Sequence, residues 1–542
     1  DREHRADGRC DRVDPRLDAR SQGSPPPSEA TRHRQWRDVA ELLRPRHRLG
    51  ALRAGLHPEH LRAGLRGLFD DALRAVIPPR LGWRHGLRVV REVLGAAPAG
   101  RGTALADAVR TLRRHQLQAD VDRDGVIESA DGDFVYIIFG MRRGGDSYYA
   151  LDVTNKNSPR VLWRISSPEM GQSWSAATVA RVAMNDNRLN ADEAVVIIGG
   201  GYDTVHDTIG HPATPDGEGA GLYFLDLHSG EVLWRAGADG SADLTLSNMT
   251  RAMPNQVRVV DFNGDGYADR MYASDLGGQI WRFDIFNGNA PNGIGPDALV
   301  TGGVIAQLGA EGMASPGDAD TRRFYNAPDV AIFNDNLQNR RFLSINIGSG
   351  YRAHPLDNTN DDRFYSIRDA DVFNRLSQND YDNYSVVTDG DLVEVSGTVG
   401  TVIGPNDRGW KLTLPYDQKV LATSTTFNNE VFFVAFSPDA AAAASCAAGR
   451  GRNFLYRVAV SNGDPIADLD NVVPGTEDQL RVQDLAQGGI APSPRFLFPS
   501  PDANCTGSDC TPPPLGCIGV ECFDPGFVNN PVRTLWTQDG IE

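Results

Sequence analysis

The chain has 542 residues and a net charge of -17 at pH 7, which excludes a single small core and speaks against nucleic-acid binding as a primary role. No run of about 18 apolar residues occurs, so no segment reads as a membrane-spanning helix. No signal peptide is legible in the opening DREHRADGRC, which reads as an internal stretch of a longer chain.

Residues 1–119 differ in composition from the rest. They hold 24 Arg, no Lys and 14 acidic residues, and they lack Asn, Tyr and Met. Three readings fit: an Arg-rich helical segment around LRAGLRGLFDDALRAV, a linker around SQGSPPPSEA, or GC-rich DNA translated out of frame. The functional reading therefore starts at residue 120.

From about residue 133 the pattern is of strands. DFVYIIFGMRRGG is followed by DSYYALDVT and RVLWRIS, and a related pattern returns in GAGLYFLDLHSGEVLWRAG (219–237) and LGGQIWRFDIFNG (276–288). Weaker echoes are DDRFYSIRD (361–369) and GRNFLYRVAVSNGDPI (451–466). Alternating apolar residues, turn residues and a second strand with Trp predict an all-β β-propeller of about six to eight four-stranded blades with inserted loops. Stacked sandwiches are the alternative, and the shared Trp-ending strand pair disfavours them.

Two acidic loops interrupt the strands. In DFNGDGYAD, Asp261, Asn263, Asp265 and Asp269 place side-chain oxygens at positions 1, 3, 5 and 9, and Gly266 permits the turn that offers the Tyr267 carbonyl. This donor set suits calcium, whereas an Asx-rich hairpin turn would use the same residue types. The loop departs from an EF-hand, because position 12 is Tyr272 and RMYASD reads as a strand. A second candidate is DVDRDGVIESAD, with Asp120, Asp122, Asp124, the Val126 carbonyl, Glu128 and Asp131.

Four cysteines crowd the end: Cys505, Cys510, Cys517 and Cys522. Such spacing suits a zinc site or two small disulfides. The C-x4-C gaps, flanked by Pro and Gly, depart from the C-x2-C steps of zinc clusters and favour disulfides in an exported chain.

From about residue 120 onward the chain resembles the C-terminal propeller of PilY-type proteins, the type IV pilus biogenesis factors and tip-associated adhesins. The resemblance rests on FGMRRGGDSYYALDVT, DFNGDGYADRMYASDLGGQIWRFD, FYNAPDV, IGSGYRAHPLD, GIAPSPRFLFP and CIGVECFDPGFVNNPVRTLW, in the family's order. It implies a modified quinoprotein-like propeller with calcium held by Asp261, Asn263, Asp265, Tyr267 through its carbonyl, and Asp269. It further implies that calcium governs pilus extension against retraction, hence twitching motility and surface attachment. Minor pilins and the pilus machinery are the implied partners, with host-cell or abiotic surfaces beyond them. Export through the periplasm to the pilus tip is implied too. The family's signal peptide and von Willebrand A-like region are not legible.

A competing reading is a periplasmic, pyrroloquinoline-quinone-dependent dehydrogenase, because YALDVTNKNSPRVLWR also resembles the blade motif of those enzymes. Trp174 and His206 would then be pocket residues, or else packing and loop residues. Against it stands the absence of an adjacent Cys pair, and a contiguous acidic loop suits a structural ion better than a catalytic one. A calcium-stabilised surface protein is the third reading. The first and third are not enzymes.

Overall fold

Runs such as Phe134–Gly140 and Ala194–Gly199 are apolar at nearly every position, and both faces of each are buried. A strand buried on both faces needs a layer on either side. The computed structural model supplies this with six consecutive sheets. It describes residues 116–119, 127, 130 and 132–526, apart from 156, 209, 213, 312, 314, 336–337, 439–449, 467–476 and 500–512. The helical reading of LRAGLRGLFDDALRAV lies outside the described residues.

The first sheet holds β1 (Gln116–Ala119), β2 (Phe134–Gly140), β3 (Tyr148–Asp152) and β4 (Arg160–Ile165). The second holds β5 (Thr178–Arg181), β6 (Ala194–Gly199), β7 (Leu222–Asp226), β8 (Val232–Gly237) and β9 (Leu244–Thr245). The third is β10 (Arg258–Val260), β11 (Arg270–Ser274), β12 (Gln279–Ile285) and β13 (Val300–Gln307). The fourth is built on β14 (Asp329–Asp335), β15 (Arg340–Gly348) and β16 (Arg363–Asp369). A five-residue helix, α1 (Gln378–Asp382), then precedes β17 (Val387–Thr388), which returns to the third sheet, and β18 (Val393–Glu394) and β19 (Gly409–Thr413), which complete the fourth. The fifth holds β20 (Lys419–Val420), β21 (Thr425–Phe427), β22 (Glu430–Ser437), β23 (Arg452–Ala459) and β24 (Val482–Leu485). The sixth holds β25 (Arg495–Leu497), β26 (Leu515–Ile518) and β27 (Glu521–Phe523). Pairing is antiparallel except where β9, β17 and β18 add parallel edges. The first sheet reaches back to residue 116, because β1 pairs with β2.

Side-chain alternation assigns the two faces of the inner strands to two different cores. Ala194, Val196 and Ile198 of β6 join Phe134, Tyr136 and Ile138 of the first sheet, whereas Val195 and Ile197 join Met271 and Ala273 of the third. Likewise Leu343, Ile345 and Ile347 of β15 face the third sheet's Ile280 and Ile305, and Phe364 and Phe342 turn to the fifth sheet. Further apolar groups, including Phe432, Leu455 and Ile518, lie between the fifth and sixth sheets. Face-to-face sheets with a core between each neighbouring pair are the layered packing of propeller blades. Burial of each large apolar side chain contributes roughly 1.5–3 kcal/mol.

The repeated Trp has a structural reason. Trp163 of β4 donates its Nε1–H to the Leu227 carbonyl in the next sheet, at 2.8 Å. Its ring lies where a Cβ on Gly230 would sit 2.6 Å away, and Gly230 has φ +71°. Trp410 of β19 repeats the device on the fifth sheet, donating to the Val460 carbonyl at 2.9 Å beside Gly463. Trp281 differs: its Nε1–H goes to Asp275 within its own sheet, at 2.8 Å. Trp163→Phe should cost about 1–3 kcal/mol by leaving the Leu227 carbonyl unpaired, read from the denaturant midpoint.

Asp275 is fully buried. Burial, acting against hydrogen bonds from Trp281, Gln279 and Gly277, pushes its carboxyl up from 3.8 to about 7. The folded chain therefore keeps this proton up to about pH 7, and the unfolded chain only to about pH 4. This contribution to stability is complete below pH 4 and is lost as pH rises to about 7. In thermal unfolding between those limits, Asp275→Asn should show a flatter decline than the parent chain.

Candidate metal centre

The nine residues 261–269 join β10 to β11 as a hairpin loop on the third sheet. The sequence folds it through side chains that accept from its own backbone. Asp261 Oδ1 accepts from Gly264 N at 2.7 Å and Asn263 N at 3.2 Å, and its Oδ2 accepts from Gly266 N at 2.9 Å. Asn263 Oδ1 accepts from Asp265 N at 2.9 Å, and Asp265 Oδ1 accepts from Tyr267 N at 2.8 Å. These are Asx turns. They require the left-handed backbone that glycine supplies at Gly264 (φ +75°) and Gly266 (φ +87°). Asn263 and Asp265 are exposed, and Asp261 is half-buried. Among the described residues, neither Asp261 nor Asp265 has an ion-pair partner.

The loop is tied to the second sheet. Ala268 N donates to the Arg181 carbonyl at 2.8 Å, and the Arg181 guanidinium lies 4.4 Å from the Tyr267 ring centre. Arg181 donates to the Tyr267 hydroxyl at 2.7 Å, and that hydroxyl donates to Glu193. The bond to the Glu193 carboxylate holds the Tyr267 phenol above its ordinary pKa.

Asp269 turns inward. Its side chain is 2% exposed; Oδ2 accepts from Phe262 N at 2.8 Å, and Oδ1 pairs with the Arg375 guanidinium. Arg375 belongs to a strap, residues 371–376, that follows β16 of the fourth sheet. The strap rests on a buried ionic quartet. Arg270 Nε donates to Asp284 at 2.5 Å, and Arg282 donates to Asp284 at 2.9 Å and to Asp369 at 2.8 Å. The two arginines also hold strap carbonyls, Asp371 at 2.8 Å and Asn374 at 2.6 and 2.7 Å. Leu376 N donates to Asp284 at 2.9 Å, and Phe262 of the loop covers the Arg270 guanidinium at 4.4 Å. Burial, with Asp369 alongside, raises the Tyr272 phenol well above its ordinary value, so it stays protonated and donates to Asp369 at 2.6 Å.

The sequence reading missed this quartet. Its signal was two charged residues, Arg282 and Asp284, set two apart in the otherwise apolar IWRFDI.

Among the described residues, no three His, Cys, Asp or Glu side chains stand gathered as a metal site. The donor chemistry nevertheless fits calcium: carboxylates, an amide oxygen and a backbone carbonyl, all hard oxygens in one short loop. The Arg375 guanidinium already stands as a cation at Asp269. Asp261, Asn263, Asp265 and the Tyr267 carbonyl would hold the ion, and Asp269 would join by giving up Arg375.

The other candidates fall as follows. Asp120, Asp122, Asp124, Val126, Glu128 and Asp131 lie outside the described residues, as do Cys505 and Cys510. Cys517 and Cys522 form a disulfide across the β26–β27 hairpin. His206 is fully buried, with Nε2 2.6 Å from Asp216 Oδ2 and Nδ1 accepting from Arg323 at 3.4 Å. Trp174 packs beside Tyr202, Ala252 and Leu276, and its Nε1–H donates to Gln172 at 3.2 Å. Both are built into packed loops.

Among the described residues, six layered, mainly antiparallel sheets, two of them docked by Trp on the turn of the next, carry an acidic hairpin loop and define a β-propeller with a candidate cation loop. The chain belongs to the PilY1 beta-propeller domain family, whose model matches residues 100–371, the acidic loop included. The type IV pilus biogenesis factor PilY1 of Pseudomonas aeruginosa strain PAO1 is 32% identical over 158 residues, 28% of this chain and 11% of that protein. A PilY1 homolog of Xylella fastidiosa is 24% identical over 393 residues, 66% of this chain and 24% of that one. The chain thus spans a small part of these relatives' length. The crystal structure of the P. aeruginosa PilY1 C-terminal domain superposes with a TM-score of 0.50 at 17% identity, covering 78% of this chain and 87% of that one, and supports the fold.

Proposed function

We propose that the chain is the calcium-responsive propeller of a type IV pilus biogenesis factor. It acts by binding rather than by catalysis. The observation that carries this is the position of the 261–269 loop: it lies on the third sheet, grips the second through Tyr267, and grips the fourth sheet's strap through Asp269. An ion drawing its carboxylates together would change how three neighbouring sheets are held, and such a local charge change can alter a partner-binding face. The partners in this reading are minor pilins and the pilus machinery. The site of action is the outer surface and pilus tip, reached through the periplasm, where adhesion to a host cell or surface would follow. Among the described residues no helix is long and apolar enough to cross a membrane. The family membership supports the pilus role, and the donor chemistry supports the ion.

Asp265→Asn in the cell should shift the balance of extension and retraction and reduce twitching motility severalfold, with surface level of the protein unchanged. Motility equal to that of the parent strain would contradict calcium control.

A further inference from the structure

We propose that Arg375 is a built-in counter-ion for the loop, one that calcium must displace from Asp269. This rests on the calcium reading above and adds its regulation. Asp269 is the only carboxylate of the loop with a cation partner among the described residues, and it is also the only one turned to the interior. The partner comes from 106 residues away, on a strap whose backbone is fixed independently of it: Arg270 and Arg282 hold its carbonyls, Asp284 accepts from Leu376 N, and Thr301 donates to the Leu376 carbonyl at 2.6 Å. Because the strap does not need Arg375 to stay in place, the side chain can leave without unfolding it. Arg375 is itself 35% exposed, with its guanidinium 5.8 Å from the Phe286 ring centre, so it has water to move into. A guanidinium and a calcium ion cannot both neutralise one carboxylate oxygen set at full strength. Occupancy of the loop would therefore release a positive charge onto the surface between the third and fourth sheets. The affinity for calcium is set partly by this internal competitor.

A neighbouring guanidinium changes a carboxylate's affinity for a proton by about ten- to a thousandfold. The partial exposure of Arg375 puts its effect on calcium at the low end, about tenfold. The test is calorimetric calcium titration of the full chain, of Arg375→Gln and of Arg375→Lys, with phenylglyoxal labelling of Arg375 in the parent chain followed by peptide mass spectrometry. Arg375→Gln is expected to bind about tenfold more tightly, Arg375→Lys close to the parent, and calcium should raise labelling of Arg375. Binding by Arg375→Gln where the parent shows none would also support the competition. Equal or weaker binding by Arg375→Gln, with parent binding intact, overturns the competition and leaves the calcium site standing. No binding by either chain overturns both.

Discussion

Asp284→Ala should destabilise the chain by about 4 kcal/mol, the scale of removing one partner from a buried ion pair. Asp284 is fully buried and accepts from Arg270, Arg282, the Tyr381 hydroxyl at 2.7 Å and Leu376 N. Its loss leaves two buried guanidinium groups facing the buried carboxylate of Asp369 and the half-exposed one of Asp371, and leaves a buried hydroxyl and a backbone N–H without an acceptor. Asp284→Asn keeps the shape but removes the charge and should fall between the two. The strap and α1 both hang on this carboxylate, so protection of 371–382 from hydrogen exchange should fall more than that of β22 and β23. Denaturant unfolding gives the midpoint. A loss under about 1 kcal/mol would mean the quartet does not hold the strap.

Asp265→Asn is expected to do the opposite: little to stability and much to calcium. The side chain is exposed, and an amide oxygen can still accept from Tyr267 N, so the apo chain should change by about 0.5 kcal/mol or less. Calcium affinity in such loops follows the number of ligand charges. Removing one of three carboxylates should weaken binding on the order of 100-fold. Calorimetry and thermal unfolding on the same samples separate the two effects. A large fall in stability with affinity unchanged would make 261–269 a plain Asx-rich turn.

Much of the fold was legible because its signals are local. Apolar runs bounded by turn residues marked β2, β3, β4, β7, β8 and β12, and Trp163 marked a strand that docks on its neighbour's turn. The strand after the acidic loop was read from RMYASD, and it is β11. Among the described residues there are six sheets, within the expected six to eight, but four of them carry five strands rather than four. The two-residue strands β9, β17, β18 and β20 were not legible, since two residues carry no period and their pairing is decided by the neighbouring strand. QLQA, at 116–119, has no β-branched residue and becomes a strand by pairing with β2.

At the candidate site, the loop's place before a strand is legible in the sequence, and its Asp, Asn and Gly residues are those that close its Asx turns. The inward turn of Asp269 could not be read, because its partner Arg375 lies 106 positions away and only the packing of the fourth sheet on the third brings it near. The same holds for Asp369 and Arg282, 87 positions apart. Long-range charge pairs leave only a weak local trace, a charged residue inside an apolar strand.

The most direct measurement is a crystal structure of the chain grown with calcium, with anomalous scattering to locate the ion. The account predicts a calcium peak in the 261–269 loop about 2.3–2.6 Å from oxygens of Asp261, Asn263, Asp265 and the Tyr267 carbonyl, with Arg375 turned away from Asp269. A loop with no peak at saturating calcium, and with the Asp269–Arg375 pair intact, would contradict it.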